Sequence, residues 1–104
     1  AIDRNLIYVA STNGDIVALD VLNGATYWLQ NELQGRRLTK PVLMGNYLVV
    51  ADEDGLVHWL DKTTGKIVGR FMIDSRGVEA TPIVNNNIVY ILGCSGKLVA
   101  IEVN

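Results

Sequence analysis

The chain has 104 residues, 49% hydrophobic and 19% charged, and its nine basic and eleven acidic side chains leave a net charge of −2. That composition can bury a core for one small domain, or for part of a larger one, and excludes a disordered chain. No basic block supplies a footprint for nucleic acid, apolar runs such as NYLVVA are far too short to span a bilayer as a helix, and a single cysteine permits no internal disulfide.

The opening AIDRNLIYVA has neither an initiator methionine nor a signal-peptide pattern, which suggests a mature or excised segment. The first predicted strand is NLIYVAS (5–11), rich in β-branched and aromatic residues. Asn13-Gly14 then supplies the positive φ angles that a tight hairpin demands. DIVALDV (15–21) is the second strand, Asn23-Gly24 the next turn, and ATYWLQNEL (25–33) the third strand. A short extended piece at Pro41-Val42-Leu43 opens a second unit, with proline at a strand start because it lacks a backbone donor. NYLVVAD (46–52), the Asp54-Gly55 turn, LVHWLDK (56–62), the Thr64-Gly65 turn and KIVGRFMI (66–73) follow. A third unit begins at Pro82-Ile83-Val84 and continues as NIVYILG (87–93), Ser95-Gly96 and KLVAIEV (97–103).

These units repeat. Gly14, Gly55 and Gly96 are 41 residues apart, and the same step relates Asn5, Asn46 and Asn87, Gly24 and Gly65, and Pro41 and Pro82. Unrelated residue types recurring in one gapless register mark an internal repeat, and four short antiparallel strands per repeat of this length describe a β-propeller blade. The second strand is apolar on both faces, in the columns Ile16/Val57/Leu98 and Ala18/Trp59/Ala100 on one side and Val17/His58/Val99 and Leu19/Leu60/Ile101 on the other. Blades stacked between neighbours require this, whereas a sheet facing water would alternate with polar residues. The expected fold is therefore all-β, a fragment of about two and a half four-stranded blades. Residues 1–38 form a partial blade whose first strand is missing, 39–79 a complete blade, and 80–104 a partial blade lacking its outer strand. Such a fragment cannot close a ring and leaves apolar faces open, so it is expected to belong to a larger propeller or to self-associate.

Several side chains resemble chemistry but read better as architecture. His58, the only histidine, lacks the further ligands that a metal site needs, and it aligns with Val17 and Val99 in a packed strand. Asp52-Glu53-Asp54-Gly55 lacks the spacing of a calcium loop and is expected to be a solvated hairpin turn. Ile91-Leu92-Gly93-Cys94 matches a lipidation box, but it ends a strand near the C-terminus with no signal segment before it, which leaves Cys94 a free thiol. Trp28, Trp59, Tyr27 and Tyr47 are expected to pack between blades. No catalytic residue, metal ligand or cofactor site is expected. Arg36 and Arg37, on the connection between the first two units, are the best candidates for contact with a partner, because connections carry function more often than strands do.

Across Tyr8 to Trp28 the repeat reads Tyr-Val-x4-Gly-x-Ile-x-Ala-Leu-Asp-x3-Gly-x3-Trp. This resembles the quinoprotein-type (PQQ-like) propeller repeat, in which the tryptophan of one blade docks on its neighbour, and lacks the Gly-His and Trp-Asp pairs of WD40 repeats. The second repeat departs from the pattern, with Gly69 at the tryptophan position and Trp59 at the alanine position, as if Trp59 refilled the volume that Gly69 leaves. Residues 31–103 further resemble the C-terminal blades of the BamB family, through Leu48-Val49-Val50, Asp54-Gly55 with His58-Trp59, Asp74-Ser75-x-Gly77, and Pro82 after its threonine. The resemblance implies an eight-bladed periplasmic lipoprotein, anchored in the outer membrane by an N-terminal lipid outside this chain. It implies a non-enzymatic scaffold that binds BamA and other barrel-assembly components, with unfolded outer-membrane proteins as further partners. The family's BamA-contacting loops lie upstream of this segment, so no such contact transfers to a residue here. The alternative, blades of a PQQ-dependent quinoprotein dehydrogenase, finds no vicinal cysteines, calcium carboxylates or catalytic aspartate in this chain.

Overall fold

A computed structural model of the chain describes residues 2–102. The first sheet comprises β1 (Ile2–Asp3), β2 (Leu6–Ala10), β3 (Ile16–Asp20) and β4 (Thr26–Gln30), paired in chain order. The second comprises β5 (Val42–Met44), β6 (Tyr47–Ala51), β7 (Leu56–Asp61) and β8 (Ile67–Met72), also in chain order. In the third, β9 (Ile83–Asn85), β10 (Ile88–Leu92) and β11 (Leu98–Glu102) lie side by side. Every strand pairs antiparallel with its neighbour in its sheet, as hairpin connections of two to five residues allow. Val103, the last residue of the final strand expected from sequence, lies outside the described residues.

One strand was not legible in the sequence. Ile2 and Asp3 pair with Ile7 and Leu6, so the first sheet has four strands, and the expectation that its innermost strand is missing is corrected. The reason is the turn. Arg4 has φ +56°, matching φ +59° at Gly45 and φ +57° at Asn86, the residues 41 and 82 positions on. Glycine and asparagine tolerate this left-handed conformation, so Gly45 and Asn86 announce their hairpins. Arginine does not, and Arg4 hides its own.

The repeat extends to irregularities. The ladder between β3 and β4 shifts register at Ala18/Leu19, and that between β7 and β8 shifts at the equivalent Trp59/Leu60. These bulges leave Tyr27 and Val68 as the extra residues on the outer strands, where they bend the edge.

The core forms where sheets face one another. Tyr8, Ile16, Ala18 and Trp28 of the first sheet pack with Leu48, Val50 and Leu60 of the second. Met44, Val49, Val57 and Trp59 on the second sheet's other side pack with Val89 and Ile91 of the third. Residues 57–60 of β7 are accordingly buried on both faces, as the doubly apolar pattern predicts. The end sheets are covered on one side only, leaving Ile2 and Val9 exposed at one end and Ile83 and Leu98 at the other.

Candidate functional site

The connection from β4 to β5 carries the two arginines singled out by sequence. It leaves the first sheet after Gln30 and runs alongside the second. There Leu38 bridges Asp52, Thr39 N–H donates to the Ala51 carbonyl (2.9 Å), and Glu53 N–H donates to the Arg37 carbonyl (3.0 Å). This pairing fixes Arg36 over the β6–β7 turn.

The structure separates the two arginines. Arg36 Nη1 donates to Asp52 Oδ2 (2.9 Å) and to Asp54 Oδ2 (3.2 Å), so its guanidinium is bound within the chain. Arg37 is exposed, and its backbone N–H is bonded to Glu53 Oε1 (3.3 Å). Of the pair, Arg37 offers the accessible side chain.

Asp52 overturns the expectation of a solvated turn. It is completely buried, and its Oδ2 receives His58 Nε2 (2.7 Å) as well as Arg36. Its Oδ1 accepts the N–H groups of Asp54 (2.9 Å) and Leu56 (3.1 Å), which close the hairpin. Burial alone would raise this carboxyl, but the hydrogen bond from His58, the Leu56 N–H, the charge of His58 and the Asp54 N–H outweigh it and hold the group below its ordinary value. His58 is buried as expected. Burial pushes its imidazole down, the hydrogen bond and charge of Asp52 oppose this, and the net result is below the ordinary value of 6.5. A neutral ring that donates from Nε2 to a carboxylate keeps its lone pair on Nδ1, and that atom is buried with no partner among the described residues. A signal for the cluster existed in the repeat: Asp52 stands where the other units have Ser11 and Gly93, and His58 where they have Val17 and Val99. Two polar outliers in one blade mark a pair.

A second carboxylate ties the next junction. Asp74 Oδ2 accepts the Ser95 N–H (3.0 Å) and the Ser95 hydroxyl, and Oδ1 accepts the Arg76 N–H (2.9 Å). The hydrogen bond from Ser95 leads in holding its pKa down, ahead of the Arg76 N–H. Cβ added at Gly93 would collide with the Asp74 side chain, so the glycine in Ile91-Leu92-Gly93-Cys94 serves this contact. Cys94 beside it is exposed and free.

The aromatic residues divide. Trp28 is buried against the second sheet, with Nε1 donating to the Lys62 carbonyl (2.8 Å) and its ring against Gly65. Trp59 is buried and edge-on to Tyr47, with centroids 5.9 Å apart. Tyr27 is 56% exposed, because the bulge turns it outward, so its expected packing role is corrected. Among the described residues, no three His, Cys, Asp or Glu side chains gather into a metal-binding group. What the arrangement offers is buried polar anchoring of the connections and exposed surface on the connections and outer strands.

Known proteins share both sequence and arrangement. A family model described as the outer membrane protein assembly factor BamB matches residues 12–104. The outer membrane protein assembly factor BamB of Alkalilimnicola ehrlichii is 38% identical over 102 residues, covering 98% of this chain and 27% of that protein. That of Shewanella oneidensis is 39% identical over 95 residues, covering 91% and 24%. The chain thus spans about a quarter of the length of these curated relatives. The crystal structure of BamB from Moraxella catarrhalis superposes with a TM-score of 0.87 at 31% identity, over 95% of this chain and 29% of that one. A computationally designed protein, Ika4, superposes at 0.86 with 17% identity, a likeness of fold alone.

Proposed function

This chain belongs to the BamB family, and from that premise we propose that it supplies blades to a non-enzymatic scaffold for assembly and insertion of outer-membrane β-barrel proteins. The match of the BamB family model to residues 12–104 carries the reading, and the superposition on a BamB crystal structure supports it. In this reading the blades divide at 38/39 and 79/80. The parent propeller stands on the periplasmic face of the outer membrane, tethered by an N-terminal lipid outside this chain. It binds BamA and other barrel-assembly components, with unfolded outer-membrane proteins as further partners. Within this segment the candidate contact is the basic connection at Arg36 and Arg37, with Arg37 presenting its side chain and Arg36 holding the connection in place through Asp52.

Affinity purification of the full-length parent from envelope extracts tests this. BamA is expected to co-purify, and a genuine signal peptide and lipidation box are expected at the parent's start. Quinone absorbance or calcium-dependent alcohol oxidation without BamA would replace the scaffold by a dehydrogenase. Arg37→Glu is expected to weaken recovery of assembly components while thermal stability stays within about 0.5 kcal/mol, as for other exposed substitutions.

A further inference from the structure

Two departures from the 41-residue repeat meet at one place. Arg4 holds φ +56° where the following units have Gly45 and Asn86, a conformation that strains arginine and suits its counterparts. Tyr27, the extra residue of the β4 bulge, is 56% exposed where the second unit has Val68. Both line a pocket of about 490 Å³ between the first sheet and the β7–β8 turn of the second, a volume within the range of small-ligand sites.

The pocket lies at the first junction, where the structure describes both facing sheets. Leu6 and the buried Tyr8 supply the apolar wall of the first sheet, with the Tyr8 ring 6.0 Å from that of Trp28. Lys62 and Thr63 supply the wall of the second, and Trp28 clamps it by donating to the Lys62 carbonyl (2.8 Å). The turns are held as well. The Asn5 carbonyl accepts the Val21 N–H (2.8 Å), and Asp20 Oδ1 accepts the Leu22 N–H (2.8 Å). The walls are thus formed before any ligand arrives.

The lining decides what fits. Arg4 brings only donors and Asp20 only acceptors, while the Asn5 amide and the Thr63 hydroxyl bring both. An anion would meet Asp20 as a like charge, and a cation would meet Arg4. A neutral ligand with several hydroxyl groups satisfies both, because each hydroxyl donates and accepts. The exposed ring of Tyr27 adds a flat apolar platform of the kind that packs against the C–H face of a ring. Asn5 and Asp20 recur in the second unit as Asn46 and Asp61, but the cation and the ring do not, so the combination is particular to this junction.

We propose that this pocket binds a neutral pyranose sugar, with Tyr27 against the face of the ring and Arg4, Asn5, Asp20 and Thr63 bonded to its hydroxyl groups. The strain at Arg4 then has a use, since the arginine presents donors that glycine at the same turn would not.

Saturation-transfer difference NMR on the full-length parent tests this, with N,N′-diacetylchitobiose and maltose as probes. Transfer to ring protons is expected at about millimolar sugar. Transfer to chitobiose alone assigns an N-acetylated glycan and transfer to both a plain hexose ring, and either supports the proposal. Tyr27→Val, which installs the residue of the second unit, is expected to weaken binding about tenfold. Arg4→Gly is expected to weaken it about fivefold while leaving the melting temperature equal or higher, because the turn is relieved of strain. No transfer to either sugar, or undiminished transfer in a folded Tyr27→Val or Arg4→Gly variant, would overturn the proposal. A fall in melting temperature for Arg4→Gly would also overturn it, by giving the arginine a structural role instead. Recovery of BamA is read separately, so the sugar site and the scaffold reading fail independently.

Discussion

At the residue scale, buried charge governs the middle blade. Asp52 serves His58, Arg36 and two turn amides at once, so Asp52→Ala leaves the buried imidazole without its acceptor and the Arg36 guanidinium with Asp54 alone. A loss of about 3 kcal/mol is expected, because removing one partner of a buried network costs more than the network contributes. Urea unfolding of the variant beside wild type checks this. His58 sets a pH dependence whose sign follows from its depressed pKa. The unfolded imidazole binds a proton more readily than the folded one, so this contribution is complete above about pH 6.5 and is lost as pH falls through the folded pKa below it. Asp52, also depressed, adds the same sign of change below 3.8. Urea midpoints are thus expected to fall between pH 7 and pH 5, and His58→Gln is expected to flatten that limb. An unchanged slope in the variant would assign the effect elsewhere.

At the element scale, the outer strand β4 is fastened to the next blade by Trp28 and Gln30, both bonded to carbonyls of the β7–β8 turn. Gly65 allows this twice, through a φ of +77° and through the absence of a Cβ where the Trp28 ring lies. Gly65→Ala is expected to destabilise the chain by about 2–5 kcal/mol, combining backbone strain with overpacking. Gly24→Ala, also at positive φ but with nothing within 4 Å, is expected to cost only the strain, about 1 kcal/mol. Thermal denaturation of the two variants separates the terms, and equal losses would refute the Trp28 contact as the cause. The docking tryptophan was legible from the repeat. The exposure of Tyr27 was not, because a bulge reverses the side-chain alternation on which strand reading depends.

At the scale of the molecule, three stacked sheets present two unlike apolar ends. Ile2 is 69% exposed at one end and Leu98 66% at the other. Faces of this kind are buried between blades elsewhere in the same chain, and isolated they favour association. The 104-residue chain is expected to bind an apolar dye and to gain mass with concentration in light scattering, and Val9→Lys or Leu98→Lys is expected to reduce both. A monomer without dye binding would show that the ends are closed by some other means.

Apart from β1 and its hairpin, the sequence by itself determined the repeat, the strands, the hairpins and the doubly buried inner strand, because each is written in local periodicity and turn chemistry that recurs every 41 residues. Only the tertiary structure decided which polar side chains meet. Asp52, His58 and Arg36 join a turn, a strand and a connection, and nothing local reveals that these segments converge on one buried carboxylate.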